Sequence, residues 1–149
     1  MKRLLLVLML AVVAVSLQSC GGLAAGIINR QIIESDKAET IEKRITKYAP
    51  LALSEEQKSE TRLIYDEEIT NLKENARKEK TKEISNKSSL NTFAYETYKS
   101  QVRFEKILDK AQLLQYRQMV LNHDVPGLNE KQAMKMKKNL KRKGYDVNF

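Results

Sequence analysis

Cys20 is the residue on which the chemistry predicted from this sequence depends. It is the only cysteine in the chain, so its thiol has no partner for a disulfide within the molecule. It follows two cations, Lys2 and Arg3, and an apolar stretch at Leu4–Leu17. A positive segment, an apolar stretch and a small residue before the cleavage point form the pattern that the secretion machinery recognises. The sequence therefore predicts a lone thiol at the end of an export signal.

The three residues before Cys20, Leu-Gln-Ser, resemble the lipobox of bacterial lipoproteins. In that class of protein, the signal peptidase cleaves before the cysteine, which becomes the N-terminus and carries lipid. The resemblance implies a signal peptide at 1–19, a mature chain that begins at Cys20, and no cofactor other than the covalent lipid. Gly21 in the next position, rather than Asp, resembles the signal for sorting to the outer membrane, facing the periplasm.

An uncleaved membrane anchor and a cleaved but soluble form are the alternatives to lipidation. The weakly apolar segment Gly21–Ile28 could extend the hydrophobic stretch past Cys20. A bilayer span needs about 20 apolar residues, whereas the segment Leu4–Leu17 is only 14 residues long. Polar residues and glycines on both sides of Cys20 would also weaken a span. We therefore favour the cleaved lipoprotein signal.

Composition limits the chemistry of the remaining chain. Removing residues 1–19, which contain two cations and no acid, leaves 130 of the 149 residues and lowers the formal net charge from +8 to +6. This length fits one domain with a single modest core. Zinc and copper sites usually need several His or Cys ligands, and His123 is the only histidine. Its position suits a helix C-terminus, where the helix dipole favours it, so we expect no metal site.

No catalytic residues are expected. The sequence contains no GxSxG, Walker, GxGxxG or HExxH motif, which are the patterns that position nucleophiles, phosphates and metals in common enzyme classes. The adjacent carboxylates Glu67 and Glu68 lie in a charged helical stretch and lack a recognisable partner for acid–base chemistry. The sequence therefore favours a binding protein over an enzyme.

Helical periodicity dominates after residue 20, because apolar residues recur three and four positions apart. We expect an all-α fold, a small bundle of about four to five helices. The first helix is predicted to run from Ile28 to just before Pro50, since proline disfavours helical geometry in the preceding residue, and Ser85–Asn91 is predicted to be a loop. Asn129 with Gln132 is predicted to cap the last helix. The helix that follows Ser54 is predicted to have one apolar face, formed by Ile64, Tyr65, Ile69, Leu72 and Ala76. The predicted segments are a lipidated tether at 20–27, a helical bundle at 28–127, and a basic C-terminal helix and tail at 128–149.

Two of the predicted helix starts share one pattern: Leu, a cap residue, two variable positions and Gln. The residues are Leu53, Ser54 and Gln57 and, 55 residues later, Leu108, Asp109 and Gln112. In each copy the cap side chain can accept from a first-turn amide, and the glutamine can reach back to the N–H of the cap residue, which is a capping box. Two independent capping boxes would explain the pattern without any common function.

In an exported, basic, cysteine-poor helical chain, the repeated pattern also resembles the LTxxQ family of periplasmic proteins, which includes the Spy and CpxP proteins. The resemblance covers Leu51–Met119, and Ser54 and Asp109 stand where the family has threonine. It implies a small bundle of long helices that pairs into a curved homodimer. Members of the family act in envelope stress, either as ATP-independent chaperones or as regulators of a sensor kinase. Lipid attachment departs from the soluble members.

The C-terminal segment has the strongest charge asymmetry in the chain. Its basic residues are Lys131, Lys135, Lys137, Lys138, Lys141, Arg142 and Lys143. Such a segment can bind anionic lipid, an anionic cell-wall polymer or acidic protein segments. Nucleic acid is not an expected partner, because no base-reading module accompanies the charge. A solvated basic helix is the simpler explanation.

Taken together, these features predict a lipid-anchored protein of the bacterial cell envelope that binds unfolded or envelope proteins in a chaperone-like or stress-adaptor role. The alternative is a structural envelope lipoprotein that grips cell wall or anionic membrane through its basic C-terminal helix. Aromatic residues at helical spacing are more often core than contact surface, but five are candidates for contact with clients. They are Phe93, Tyr95, Tyr98, Phe104 and Tyr116.

Overall fold

The computed structural model describes residues 21–149, and for residues 21–25, 27 and 28 it describes the backbone alone. Cys20 and the predicted signal peptide at 1–19 lie outside the described residues. The described chain is all-α, as predicted, with no strand between residues 21 and 149. Its helices are α1 (Gly21–Glu34), α2 (Lys37–Lys47), α3 (Glu55–Lys80), α4 (Asn86–Ile107), α5 (Lys110–Leu121) and α6 (Glu130–Arg142), with a 3-10 turn at Ala49–Leu51.

The first part of the described chain differs from the prediction in two ways. Helix α1 begins at Gly21, inside the segment 20–27 that was predicted to be a tether, because the Leu-Ala-Ala sequence at 23–25 consists of strong helix formers. The single helix predicted up to Pro50 is divided into α1 and α2. Asp36 causes the division, since its carboxylate accepts from the Glu39 N–H at 2.8 Å and starts a new helix. Residues 21–149 thus form six α-helices, in the small all-α bundle that was expected.

The loop predicted at Ser85–Asn91 is wrong. Helix α4 begins at Asn86, and the Ser85 hydroxyl caps it by accepting from the Ser88 N–H at 3.2 Å. The serines and asparagines that suggested a loop are helix-cap and contact residues instead. The connection is the shorter segment 81–84, where Lys82 adopts a φ of 61° and the chain reverses.

Helices α3 and α4 form the central pair, with α1 and α2 packed along α3 and α6 packed on α4. The largest hydrophobic cluster joins α2, the 3-10 turn, α3, α4 and α5. At its centre the ring of Phe104, which is fully buried, stacks on Tyr48 with centroids 4.6 Å apart and meets the edge of Tyr116 at 5.2 Å. The predicted apolar positions of α3 are all buried, namely Ile64, Tyr65, Ile69, Leu72 and Ala76.

The aromatic residues considered as client contacts belong mainly to this interior. Tyr98, Phe104 and Tyr116 are buried, while Phe93 and Tyr95 are partly buried and pack against smaller hydrophobic clusters. Burial of apolar area is the main driving force of folding. These rings therefore stabilise the fold and do not form an exposed contact surface.

A buried ion pair connects α2 to α3. The Arg44 guanidinium donates to the Glu68 carboxylate at 2.7 Å, and Glu68 is only 2% exposed. The guanidinium also lies 4.6 Å from the centre of the Tyr65 ring, whose hydroxyl is 2.7 Å from that of Tyr48. Burial raises the pKa of both tyrosines, so the two phenols stay protonated. Loss of one partner from such a pair leaves an uncompensated buried charge.

The segment after α5 packs closely on that helix at Gly127. A Cβ added at Gly127 would lie 2.8 Å from Val120 Cγ2 and 2.9 Å from the Tyr116 hydroxyl oxygen, and both of those residues are buried. We expect Gly127→Ala to lower the free energy of unfolding by about 1 to 3 kcal/mol through overpacking. Urea denaturation followed by circular dichroism measures the change.

The matched control is Gly26→Ala, because an added Cβ at that position in α1 meets nothing within 4 Å. Alanine should raise stability there by about 0.5 to 1 kcal/mol, since glycine is a poor helix former. Equal effects of the two substitutions would contradict the close approach at Gly127.

Candidate functional site

The two predicted helix starts are confirmed as capping boxes. At α3, the Ser54 hydroxyl accepts from the Gln57 N–H at 3.1 Å, and Gln57 Oε1 accepts from the Ser54 N–H at 3.0 Å. At α5, Asp109 and Gln112 make the same two bonds at 2.8 and 3.0 Å. The leucines that precede the caps, Leu53 and Leu108, are both buried in the main hydrophobic cluster.

The structure brings these two capping boxes together. Gln57 Nε2 donates to Gln112 Oε1 at 2.7 Å, and Gln112 Nε2 donates to Gln57 Oε1 at 3.1 Å. The two carboxamides thus exchange hydrogen bonds across 55 positions of sequence. We call Gln57 and Gln112 the amide pair. The two motifs are therefore not independent. Each glutamine completes the capping box of its own helix and also forms hydrogen bonds with the other glutamine.

Every hydrogen-bonding position of the amide pair is occupied. A carboxamide can donate twice and accept twice. Beyond the exchange and the caps, Gln57 Nε2 donates to the Ile107 carbonyl at 2.7 Å and Gln112 Nε2 donates to the Leu51 carbonyl at 3.1 Å. The pair joins the starts of α3 and α5 to the ends of α4 and the 3-10 turn. Because no polar position is left for a ligand, the motif residues act as a structural joint.

A third copy of the pattern precedes α6. It consists of Leu128, Asn129 and Gln132, and Asn129 and Gln132 form a capping box with both bonds at 3.0 Å. The cap was predicted from the sequence, but its membership in the repeat was missed. The buried Leu128 before the cap, 20 residues after Leu108, was the available signal.

The third copy is held differently from the first two. The side chain of Gln101, in α4, donates to the Leu128 carbonyl at 2.8 Å and accepts from the Leu128 N–H at 2.7 Å. Gln132 Oε1 accepts from the Asn129 N–H within the capping box. The start of α6 is thus attached to α4 through the backbone of the leucine, not through the glutamine of the motif.

The basic C-terminal residues belong to α6 and its C-cap, and α6 is docked on the bundle. Leu140, 1% exposed, packs with Ala133 and Met136 against Tyr98 of α4. This contact turns the charged side of α6 outward. In the part of the chain that the structure describes, the predicted anion-binding residues are all exposed and none makes a salt bridge: Lys131, Lys135, Lys137, Lys138, Lys141, Arg142 and Lys143.

Large apolar side chains are exposed on both α5 and α6. Leu114 and Leu121 of α5 are 72% and 55% exposed and lie on one side of the helix, with Arg117 between them. The Arg117 guanidinium lies 2.7 Å from the Glu130 carboxylate at the start of α6. Met134, 68% exposed, follows Glu130 by one helical turn. Because residues three and four apart share a helix face, we define the mixed face as Leu114, Arg117, Leu121, Glu130, Met134, Lys137 and Lys141.

Comparison with known proteins adds no identification. No family model, curated protein or solved structure matches this chain. None of the helices between residues 21 and 149 combines the length and the apolar character needed to cross a bilayer. Over the same residues, no three His, Cys, Asp or Glu side chains are arranged to hold a metal ion.

The amide pair predicts that glutamate cannot replace glutamine at position 57. Glutamate serves equally well in a capping box, but a carboxylate cannot donate to Gln112 Oε1 or to the Ile107 carbonyl. We expect Gln57→Glu to lower the free energy of unfolding by about 2 kcal/mol at neutral pH, because two partly buried acceptors lose their donor. The deficit should shrink as the pH falls and the introduced carboxyl is protonated. Urea denaturation at two pH values measures both effects.

Gln132→Glu is the matched control for this substitution. Gln132 has the same place in a capping box and accepts from the Asn129 N–H, but it makes no hydrogen bond to another helix among residues 21–149. It should therefore tolerate glutamate with a change of less than about 0.5 kcal/mol. Equal losses at positions 57 and 132 would show that the exchange between the amides contributes nothing.

Proposed function

We propose that this chain is a lipid-anchored envelope protein that binds unfolded or partly folded proteins without ATP, in a chaperone-like or stress-adaptor role of the LTxxQ type. The observation that carries the proposal is the mixed face, where Leu114 and Leu121 flank Arg117, Met134 lies one helical turn from Lys137, and all three apolar side chains are more than half exposed. It has no enzymatic activity in this proposal. Its binding depends on surface character and not on a shaped catalytic pocket.

The physical reason lies in the kind of contact that unfolded chains offer. An unfolded client presents scattered apolar side chains and acidic groups with no fixed geometry, so a complementary surface must combine apolar atoms with positive charge. A single exposed leucine is common on soluble proteins. Three large apolar side chains, two flanking Arg117 and one a helical turn from Lys137, are more than that, since apolar groups rimmed by polar residues are typical of interaction sites.

The resemblance to the LTxxQ family supports the same proposal. The amide pair supplies a physical reason for glutamine at the last position of both motifs, and Ser54 and Asp109 retain the capping role of the threonine. In this proposal the partners are unfolded or envelope proteins, the membrane through lipid on Cys20, and a second copy of the chain in a curved homodimer. The location is the outer membrane, facing the periplasm.

Suppression of aggregation tests the role of the mixed face. The chain from Gly21 to Phe149 should suppress aggregation of a chemically unfolded client at near-stoichiometric ratio, measured by light scattering. Leu114→Ser with Leu121→Ser should reduce the suppression several-fold, because two of the exposed apolar contacts are lost. Absence of suppression by the unsubstituted chain would overturn the proposal.

Leu63→Ser is the matched control in this assay. Leu63 is 67% exposed, but its neighbours one turn away on α3 include Glu60, Asp66 and Glu67 and no cation. Its substitution should leave suppression unchanged. If Leu63→Ser weakened suppression as much as the double substitution in α5, any exposed leucine would suffice and the mixed face would lose its significance.

A structural role in gripping anionic envelope components is the second candidate. It is favoured by the seven exposed basic residues of the C-terminal segment, which no acidic side chain in residues 21–149 neutralises. Each such cation near an anionic surface contributes about 1 kcal/mol to binding. Of the seven basic residues, only Lys137 and Lys141 belong to the mixed face. Substitution of the others therefore separates this role from the client-binding role.

Sedimentation with vesicles tests the second role. In a Cys20→Ala background, which excludes the lipid, Lys135→Gln, Lys138→Gln and Arg142→Gln together should release the protein from anionic vesicles, while Lys80→Gln, Lys82→Gln and Lys87→Gln should not. Both sets remove three exposed cations, and binding should also weaken with added salt. Equal release by the two sets would assign binding to net charge alone and contradict a role for α6.

A further inference from the structure

A cavity of about 160 Å³ lies between α1, α2, α3 and α4. Its walls are mainly apolar and include Ile32, Ile69, Leu72 and Phe93. An engineered cavity of about 150 Å³ in another protein admits a benzene molecule, so this one has room for a single aromatic ring or a short branched chain. Pockets that combine apolar walls with a few polar groups are the usual sites for small ligands.

Two residues that line the cavity each carry a buried polar atom without a hydrogen-bond partner. Gln31 Oε1 and Thr97 Oγ1 are buried, and neither has a partner among the described residues. They are the only two such side-chain atoms in the part of the chain that the structure describes. A buried polar atom without a partner costs about 1 to 3 kcal/mol. Because both residues line the cavity, a bound molecule with a polar group would offer these atoms a partner.

The charge at the cavity favours an anion. Three cations line it, of which Lys43 pairs with Glu39 and Arg44 pairs with Glu68. The third, Lys47, is half-buried and makes no salt bridge within residues 21–149. Burial and the neighbouring Arg44 lower the pKa of Lys47. A bound anion would compensate this charge where the protein does not.

We propose that the cavity binds a small carboxylic acid whose apolar body is about the size of one aromatic ring. The carboxylate lies at Lys47 and within reach of the polar cavity wall, and the body packs against Ile69, Leu72 and Phe93. The Thr97 hydroxyl donates to the ligand, and the Gln31 carboxamide can present either its oxygen or its N–H, since the two ends have the same shape. This site is separate from the mixed face and does not depend on the proposed function.

Three probes of similar size and different charge test the proposal. Benzoate, benzyl alcohol and benzylamine are titrated into the chain from Gly21 to Phe149, and binding is followed by the backbone amide shifts of α4 in ¹⁵N NMR spectra. Benzoate should bind saturably at submillimolar to millimolar concentration. Benzyl alcohol should bind about fivefold more weakly, as expected for the loss of one partly exposed ion pair, and benzylamine more weakly still. Absence of saturable benzoate binding, or equal binding of benzylamine, would overturn the proposal.

Substitutions then locate the binding. Lys47→Gln should reduce benzoate affinity to that of benzyl alcohol without changing the affinity for the alcohol. Thr97→Phe should abolish binding of both by filling the cavity, whereas Thr70→Phe, at an exposed position of α3 outside the cavity, should leave it intact. Retained binding in a folded Thr97→Phe protein would place the ligand elsewhere and overturn the proposal.

Thr97→Val keeps the test decisive if the phenylalanine variant does not fold. Valine has nearly the same shape as threonine and removes the unpartnered hydroxyl, so thermal stability should stay the same or rise. Benzoate affinity should fall several-fold, because the ligand loses a donor. A valine variant with unchanged benzoate affinity would contradict the proposed contact with Thr97.

Discussion

The exchange of hydrogen bonds between the carboxamides of Gln57 and Gln112 is the constraint on which the arrangement of helices depends. Through it the starts of α3 and α5 meet the ends of α4 and the 3-10 turn at one point. The geometry needs a side chain that both donates and accepts in one plane, and among residues suited to a capping box only glutamine does so. All eight hydrogen-bonding positions of the two carboxamides are occupied. The helix ends therefore meet with low energy only when Gln57 and Gln112 face each other.

The hydrophobic core and the amide pair make different contributions to the fold. Burial of Tyr48, Phe104 and Tyr116 provides stability that is proportional to area and nearly independent of direction. Hydrogen bonds in a low-dielectric interior are directional and costly to leave unmade. The Arg44–Glu68 pair acts in the same way between α2 and α3, where it sets one helix against the other. A helical bundle rich in similar apolar residues thereby acquires one specific packing.

The features predicted from the sequence are those that local chemistry decides. The all-α class and the caps at Ser54, Asp109 and Asn129 each depend on residues within one helical turn. Serine and asparagine favour both loops and helix caps, and the prediction was wrong where the cap was the actual role. Ser85 caps α4 instead of forming a loop. The pairing of Gln57 with Gln112 and the cavity beside Thr97 could not be predicted, because they arise from helices that are distant in sequence and meet only in the folded chain.

In the proposed lipid-anchored form, the helical structure from Gly21 onward has a mechanical consequence. A helix of 14 residues is a stiff rod about 21 Å long at 1.5 Å per residue, and it is packed along α3 over part of that length. A protein on a flexible linker sweeps a wide volume around its attachment point, whereas one whose packed helix begins beside that point keeps its body close to it. Its radius of action would then be set by lateral diffusion in the membrane plane and not by the reach of a tether.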